Sequence, residues 1–137
     1  MWKYYAILSA FFAALTAILA KIGIKGVSGN VATAVRTIVV LMIAWAIVLI
    51  GGQLKEVREL SKNNIIFLTL SGIATGLSWI CYFKALETGD VSKVAPVDKL
   101  SIVIAMLLAF LILKETVEPK VILGGLLITI GAIVIIW

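Results

Sequence analysis

Five apolar runs occupy most of the 137 residues, at about 4–22, 31–50, 64–83, 94–113 and 121–137. Each is close to the length a helix needs to cross a hydrocarbon core about 30 Å thick. In lipid a spanning segment must satisfy its own backbone, and runs of this length do so as helices. The most constraining is Val94–Leu113, which carries no charge from Leu100 onward. It opens with Pro96, Asp98 and Lys99. Pro96 suits a first helical turn, where its missing N–H costs nothing. Asp98 there meets the positive end of the helix dipole, whereas Lys99 gains nothing from it. Ionisable groups at the edge of hydrocarbon are costly unless paired or solvated, which makes both functional suspects. The plainer reading is a capped helix start with Lys99 reaching to the interface.

Composition agrees. Hydrophobic residues make up 63% of the chain and charged residues 14%, too few to clothe a soluble domain. The expectation is an all-α membrane protein, one folding unit over 1–137. The 12 basic against 7 acidic residues lie mostly between apolar runs. They read as determinants of topology and lipid contact, with no nucleic-acid face. Cys81 is the sole cysteine, lies inside an apolar run and reads as packing. With no histidine the usual metal sites, Ser-His-Asp and Cys-His catalysis are excluded. No Gly-Lys pair or dinucleotide-binding glycine pattern occurs. No cofactor and no enzymatic activity are expected. Lys3 and the run behind it resemble a signal peptide, but the run lasts to Ala20 without an Ala-x-Ala site, so it reads as a retained helix.

Trp2, Tyr4 and Tyr5 form an aromatic anchor for the first span, and Ala10, Ala13, Ala14, Ala17 and Ala20 a small-residue stripe along it. Gly23–Asn30 reads as a loop. The second span carries Arg36 and ends at Gly51-Gly52. In the polar segment 53–63, Leu54, Val57 and Leu60 recur every third residue, which predicts a short amphipathic turn at the interface. The third span carries Gly72 and Gly76, then Trp79, Tyr82 and Phe83. The aromatics read either as an interfacial belt or as the wall of a substrate cavity. A loop is expected at Lys84–Lys93. Gly124, Gly125 and Gly131 in the fifth span, like Gly72 and Gly76, read as helix-packing faces.

Five spans place the termini on opposite sides. The N-terminal side holds Lys3, Lys55, Arg58, Lys62, Lys114 and Lys120; the other holds Lys21, Lys25, Lys84 and Lys93, with Arg36 and Lys99 dipping inward. The bias is weak, so either the N-terminus is mostly cytoplasmic or the chain inserts both ways, a dual topology. Lys21, Arg36, Lys84, Asp98 and Lys99 all fall near one membrane face. Arg36 and Lys99 each lie five residues inside their expected spans, about 7.5 Å of rise. An Arg36–Asp98 pair is then geometrically allowed. The group reads as a cation or proton site, an anion site by its excess positive charge, or one structural ion pair with snorkelling lysines.

From the third span onward a family pattern emerges. Ala85-Leu86 before a glycine-containing loop, Ala95-Pro96, Leu100-Ser101, Glu115, then Gly124, Gly125 and Gly131 together resemble the EamA repeat of the drug/metabolite transporter superfamily. The resemblance covers nearly the whole chain. It implies five transmembrane helices forming one EamA-like repeat, half of a ten-helix inverted-repeat transporter. It also implies alternating access around a central cavity, with small-molecule transport in the plasma or inner membrane of a prokaryote. A partner must supply the second repeat: an antiparallel homodimer, or a homologous subunit. Asp98-Lys99 stands where ten-helix relatives have mostly uncharged residues. The related small multidrug resistance proteins carry a glutamate in their first helix for proton coupling; the first span here has no acid, only Thr16 at mid-span. The expected pathway residues are therefore Arg36, Asp98, Lys99, Lys84, Thr16, Trp79 and Tyr82. The rival reading is a non-transporting accessory or scaffold subunit.

Overall fold

A computed structural model describes residues 1–116 and 118–137. These residues form seven helices: α1 Trp2–Gly23, α2 Gly29–Ile50, α3 Leu54–Arg58, α4 Lys62–Thr88, α5 Val91–Asp98, α6 Leu100–Ile112 and α7 Pro119–Ile136. Among them five spans are long and apolar enough to cross a membrane: α1, α2, α4, α5 and α6 taken together as Val91–Ile112, and α7. The five-span, all-α architecture is the one expected.

The chain divides into two compact units, Leu19–Thr88 and Met1–Ile18 with Gly89–Trp137. In the first, α2 packs on α4. Gly29 lies beside Phe83 and Lys84, and Arg36 lies over Trp79, so the two helices run antiparallel. The core here is small: Phe83 and Leu86 are 2% and 0% exposed, with Ile24 and Thr33 buried beside Gly29. A Cβ on Gly29 would meet the Phe83 carbonyl carbon at 3.1 Å and the Lys84 amide nitrogen at 3.3 Å. Only glycine allows that approach. α2 stops at Gly52, whose φ of +68° lies in the left-handed region. Its N–H donates to the Leu49 carbonyl at 3.3 Å, and Gln53 N–H donates to Val48 at 3.0 Å. That pair of bonds closes a Schellman end. The expected interfacial turn follows as α3.

In the second unit α7 packs against both α5 and α6. Ala132 and Gly125 are buried on α7. Elsewhere most large apolar side chains face outward, Leu107 and Leu127 among them. Such a surface suits lipid and not water.

Two boundaries differ from expectation. The loop foreseen at Lys84–Lys93 shrinks to Gly89 and Asp90, because α4 continues to Thr88. Ala85, Leu86 and Glu87 are compatible with a helix, and burial of Leu86 holds the extra turn down. Pro96 is not in a first turn: α5 begins at Val91, so Pro96 lies inside it and the helix breaks at Lys99. A proline ring removes one helix bond and crowds the carbonyl four residues back, which ends or kinks a helix. Across the break the bonding tightens to three-residue steps, Lys99 N–H to Pro96 at 3.1 Å and Ile102 N–H to Lys99 at 3.0 Å.

Gly29→Ala is expected to destabilise the protein by about 1–3 kcal/mol, through overpacking against backbone that cannot move aside. Gly72→Ala, where a Cβ meets nothing within 4 Å, should be neutral or gain up to about 1 kcal/mol of helix propensity. Thermal unfolding of both variants in detergent separates them; equal behaviour would refute the close approach at Gly29.

Candidate functional site

Two helix ends meet in the unit Leu19–Thr88, and charges complete both. Ser28 precedes α2 in extended conformation, and its hydroxyl accepts from Val31 N–H at 3.4 Å. The next free donor, Gly29 N–H, is taken by Glu87 Oε1 from the last turn of α4. Conversely Lys21 Nζ, at the end of α1, donates to the Leu86 carbonyl at 2.6 Å. A carboxylate thus sits at the positive end of α2 and an ammonium at the negative end of α4, each favoured by the local dipole.

Below this junction Thr33 and Thr37 turn their hydroxyls onto the Gly29 and Thr33 carbonyls, both at 2.7 Å. That removes two polar groups from the apolar face. Arg36, on the next turn from Thr33, is half-buried. Its guanidinium carbon lies 4.1 Å from the Trp79 ring centroid and 5.5 Å from that of Phe83. Tyr82 meets Phe83 edge to face, with centroids 6.2 Å apart. Because α2 starts at Gly29, Arg36 lies about 10 Å along it, deeper than the sequence suggested. Trp79 lies about 13 Å before the end of the lengthened α4. There its ring meets the Arg36 cation. Lys84 is exposed on the same helix.

Asp98 and Lys99 belong to the other unit. They form an ion pair with each other, Lys99 Nζ to Asp98 Oδ2 at 3.1 Å, at the break between α5 and α6. Lys99 is about 12 Å into the broken span, further along than the five residues expected, because the helix begins at Val91. Asp90, outside the span, holds Lys93 at a looser 4.0 Å. Arg36 and Asp98 each find their contacts inside their own unit. Thr16 is half-buried on α1, next to the buried Ala17.

Of the five glycines read as packing positions, Gly125 meets a neighbour within the chain: a Cβ there would lie 3.3 Å from Met106 Sδ on α6. At Gly72, Gly76, Gly124 and Gly131 a Cβ would meet nothing within 4 Å. A groove of about 490 Å³ lies between α6 and α7, walled by Val103, Met106, Phe110, Leu126 and Thr129. Thr129 turns its hydroxyl onto the Gly125 carbonyl at 2.9 Å, leaving the groove largely apolar.

Sequence reasoning overlooked Glu87 and Gly29. A signal for the second was available: Gly29, Thr33 and Thr37 recur every fourth residue, a small-residue stripe of the kind noted elsewhere. Glu87→Ala is expected to cost about 1–2 kcal/mol by removing both the acceptor and the charge at the α2 end. Glu87→Gln should lose less, since an acceptor remains. Chemical or thermal unfolding in neutral detergent measures the order; Ala and Gln variants as stable as the parent would overturn the capping role.

Comparison with known proteins follows the same lines. A relative from Sinorhizobium sp., named as an uncharacterized transporter in the cobO 3' region, is 44% identical over 134 residues, covering 98% of this chain and 95% of that one. An uncharacterized transporter of Clostridium kluyveri is 33% identical over 76 residues, which is 55% of this chain and 24% of that protein. No solved structure matches significantly. The model of the EamA-like transporter family matches residues 1–137. Together with five apolar spans, this makes the chain a multi-pass membrane protein that belongs to the EamA-like transporter family.

Proposed function

We propose that the protein carries a small metabolite or drug-like molecule across the cell membrane of a prokaryote by alternating access, working as a dimer of five-helix subunits. The observation that carries this is the break in the fourth span, with the Asp98–Lys99 pair beside it at 3.1 Å. Broken helices with ionisable groups well inside the membrane are how transporters build substrate and ion sites. A scaffold subunit has no use for the cost of a charge pair at that depth. Family membership and the names of both relatives support the same reading. The dimer is supported by Gly72, Gly76, Gly124 and Gly131, whose open faces would let a partner's helix approach closely. That partner is a second, antiparallel copy or a homologous subunit.

Purified protein in proteoliposomes, given a panel of labelled amino acids, sugars, nucleosides and organic cations and anions, tests transport. Substrate-dependent flux is expected. Asp98→Asn should fold yet reduce it at least about tenfold, equivalent to ~1.4 kcal/mol. Folded protein that moves nothing across the panel favours the accessory-subunit reading.

Antiparallel pairing requires both insertion orientations. Ser61 lies in the exposed connection between α3 and α4, and Cys81 is the one native thiol. In a Cys81→Ala background, Ser61→Cys in sealed cells should therefore divide into labelled and protected fractions. Labelling from one side alone would leave a parallel or mixed dimer.

A further inference from the structure

Arg36 is a cation inside an apolar span with no carboxylate partner among the described residues. It touches the rings of Trp79 and Phe83, the Tyr82 phenol lies near enough to act on its charge, and among the described residues it forms no ion pair with a carboxylate. Ring faces offset part of the charge, but a guanidinium carries five N–H donors that seek oxygen. The nearest acid on the facing helix, Glu87, already accepts from Gly29 N–H. It lies two helical turns further along α4 than Trp79, about 12 Å. Threonine hydroxyls that could have reached over are turned onto their own backbone, Thr33 and Thr37 both at 2.7 Å. A half-buried fork of donors, an aromatic plate beside it and no counter-ion is an incomplete ion pair.

We infer that Arg36 on Trp79 is an oxyanion-binding site, which takes a carboxylate or phosphate attached to an apolar or aromatic body. The anion completes the guanidinium, and the indole of Trp79, with Phe83 at its edge, receives the body. Depth fits this: about 10 Å into α2, a bound anion is shielded from bulk water and the pairing is strengthened. Lys84, exposed on α4, adds positive potential on the way in. A bare inorganic anion would complete the charge but leave the ring contact unused. The inference rests on the transport reading and deepens it by naming the substrate class, an amphipathic organic anion. The same chemistry is offered by a lipid headgroup phosphate.

The test reads binding at equilibrium, without flux, so its failure is separate from a failure of transport. Trp79 is one of four tryptophans. In full-length protein carrying Trp2→Phe, Trp45→Phe and Trp137→Phe, its emission reports the site. Benzoate and phenyl phosphate in neutral detergent should change that emission saturably, and raise the melting temperature of the parent chain by a few degrees. Benzylamine should do neither. Arg36→Gln should abolish both signals, and Arg36→Lys, which keeps the charge but loses the planar fork, should bind at least about tenfold more weakly. If Arg36→Gln does not fold, Trp79→Leu with Arg36 intact is read by melting shift, and its preference for benzoate over acetate should vanish. Equal response to benzylamine, or an anion response unchanged in Arg36→Gln, overturns the site. In nanodiscs, phosphatidylglycerol in place of phosphatidylcholine distinguishes the sources. An Arg36-dependent shift that phenyl phosphate reverses assigns the site to soluble anions, and one that it cannot reverse assigns it to the headgroup. No shift in any of these conditions overturns the inference.

Discussion

A helix leaves its first N–H and last carbonyl groups without partners inside the helix, and something else must satisfy them. The junction of α2 and α4 answers this with two charges taken from elsewhere in the chain. Glu87 accepts from Gly29 N–H, and Lys21 donates to the Leu86 carbonyl at 2.6 Å. Much else in that unit follows. The Glu87 bond needs α2 to start close against α4, which needs Gly29 to be a glycine. The close start sets the register along the two helices, and the register carries Arg36 onto Trp79 at 4.1 Å. The contact of Arg36 with Trp79 thus follows from packing fixed at the helix ends.

Charge is handled differently in the two units. At the break in the fourth span the ion pair is complete within two adjacent residues, Asp98 and Lys99. That pair is nearly neutral as seen from a distance. At Arg36 the charge is softened by the rings of Trp79 and Phe83 and has no carboxylate partner among the described residues. A paired carboxylate can give up its partner to a proton or another cation, whereas an unpaired guanidinium can only gain an anion. The two arrangements also differ in origin: an acid next to a base in the chain at one, and at the other two aromatics spaced four apart on α4 brought against Arg36 by the packing of α2.

Much of this was legible in the sequence because it is local. The five spans follow from runs of apolar residues, α3 from the spacing of Leu54, Val57 and Leu60, and the presence of a charge inside the second span from Arg36 itself. What was not legible depends on residues far apart. Lys21 meets Leu86 and Glu87 meets Gly29 across 65 and 58 residues. These contacts help hold the last turn of α4, which local propensity alone left as a loop. Pro96 was misplaced for a related reason. Proline is favoured at a helix start, but Val91–Ala95 can also form helix before it, with the Asp90 backbone carbonyl accepting the first helical bond from Val94 N–H at 2.9 Å. Gly125 was read as a contact and has one in Met106, whereas Gly72 and Gly131 show only that a backbone is bare. A small residue marks where approach is possible and says nothing about who approaches.

The break at Lys99 has a mechanical consequence. Pro96 offers Ser92 no N–H, and short-step bonds from Lys99 to Pro96 and from Ile102 to Lys99 join the pieces of the fourth span. α7 lies against both pieces, α5 on one side of the break and α6 on the other. It acts as a splint across a partial fracture. Any change in the angle between α5 and α6 must shear one of them along α7, past Gly125 and Met106, where a smooth backbone faces a flexible thioether. The broken span and the glycine contact that faces α6 thus lie within the same unit.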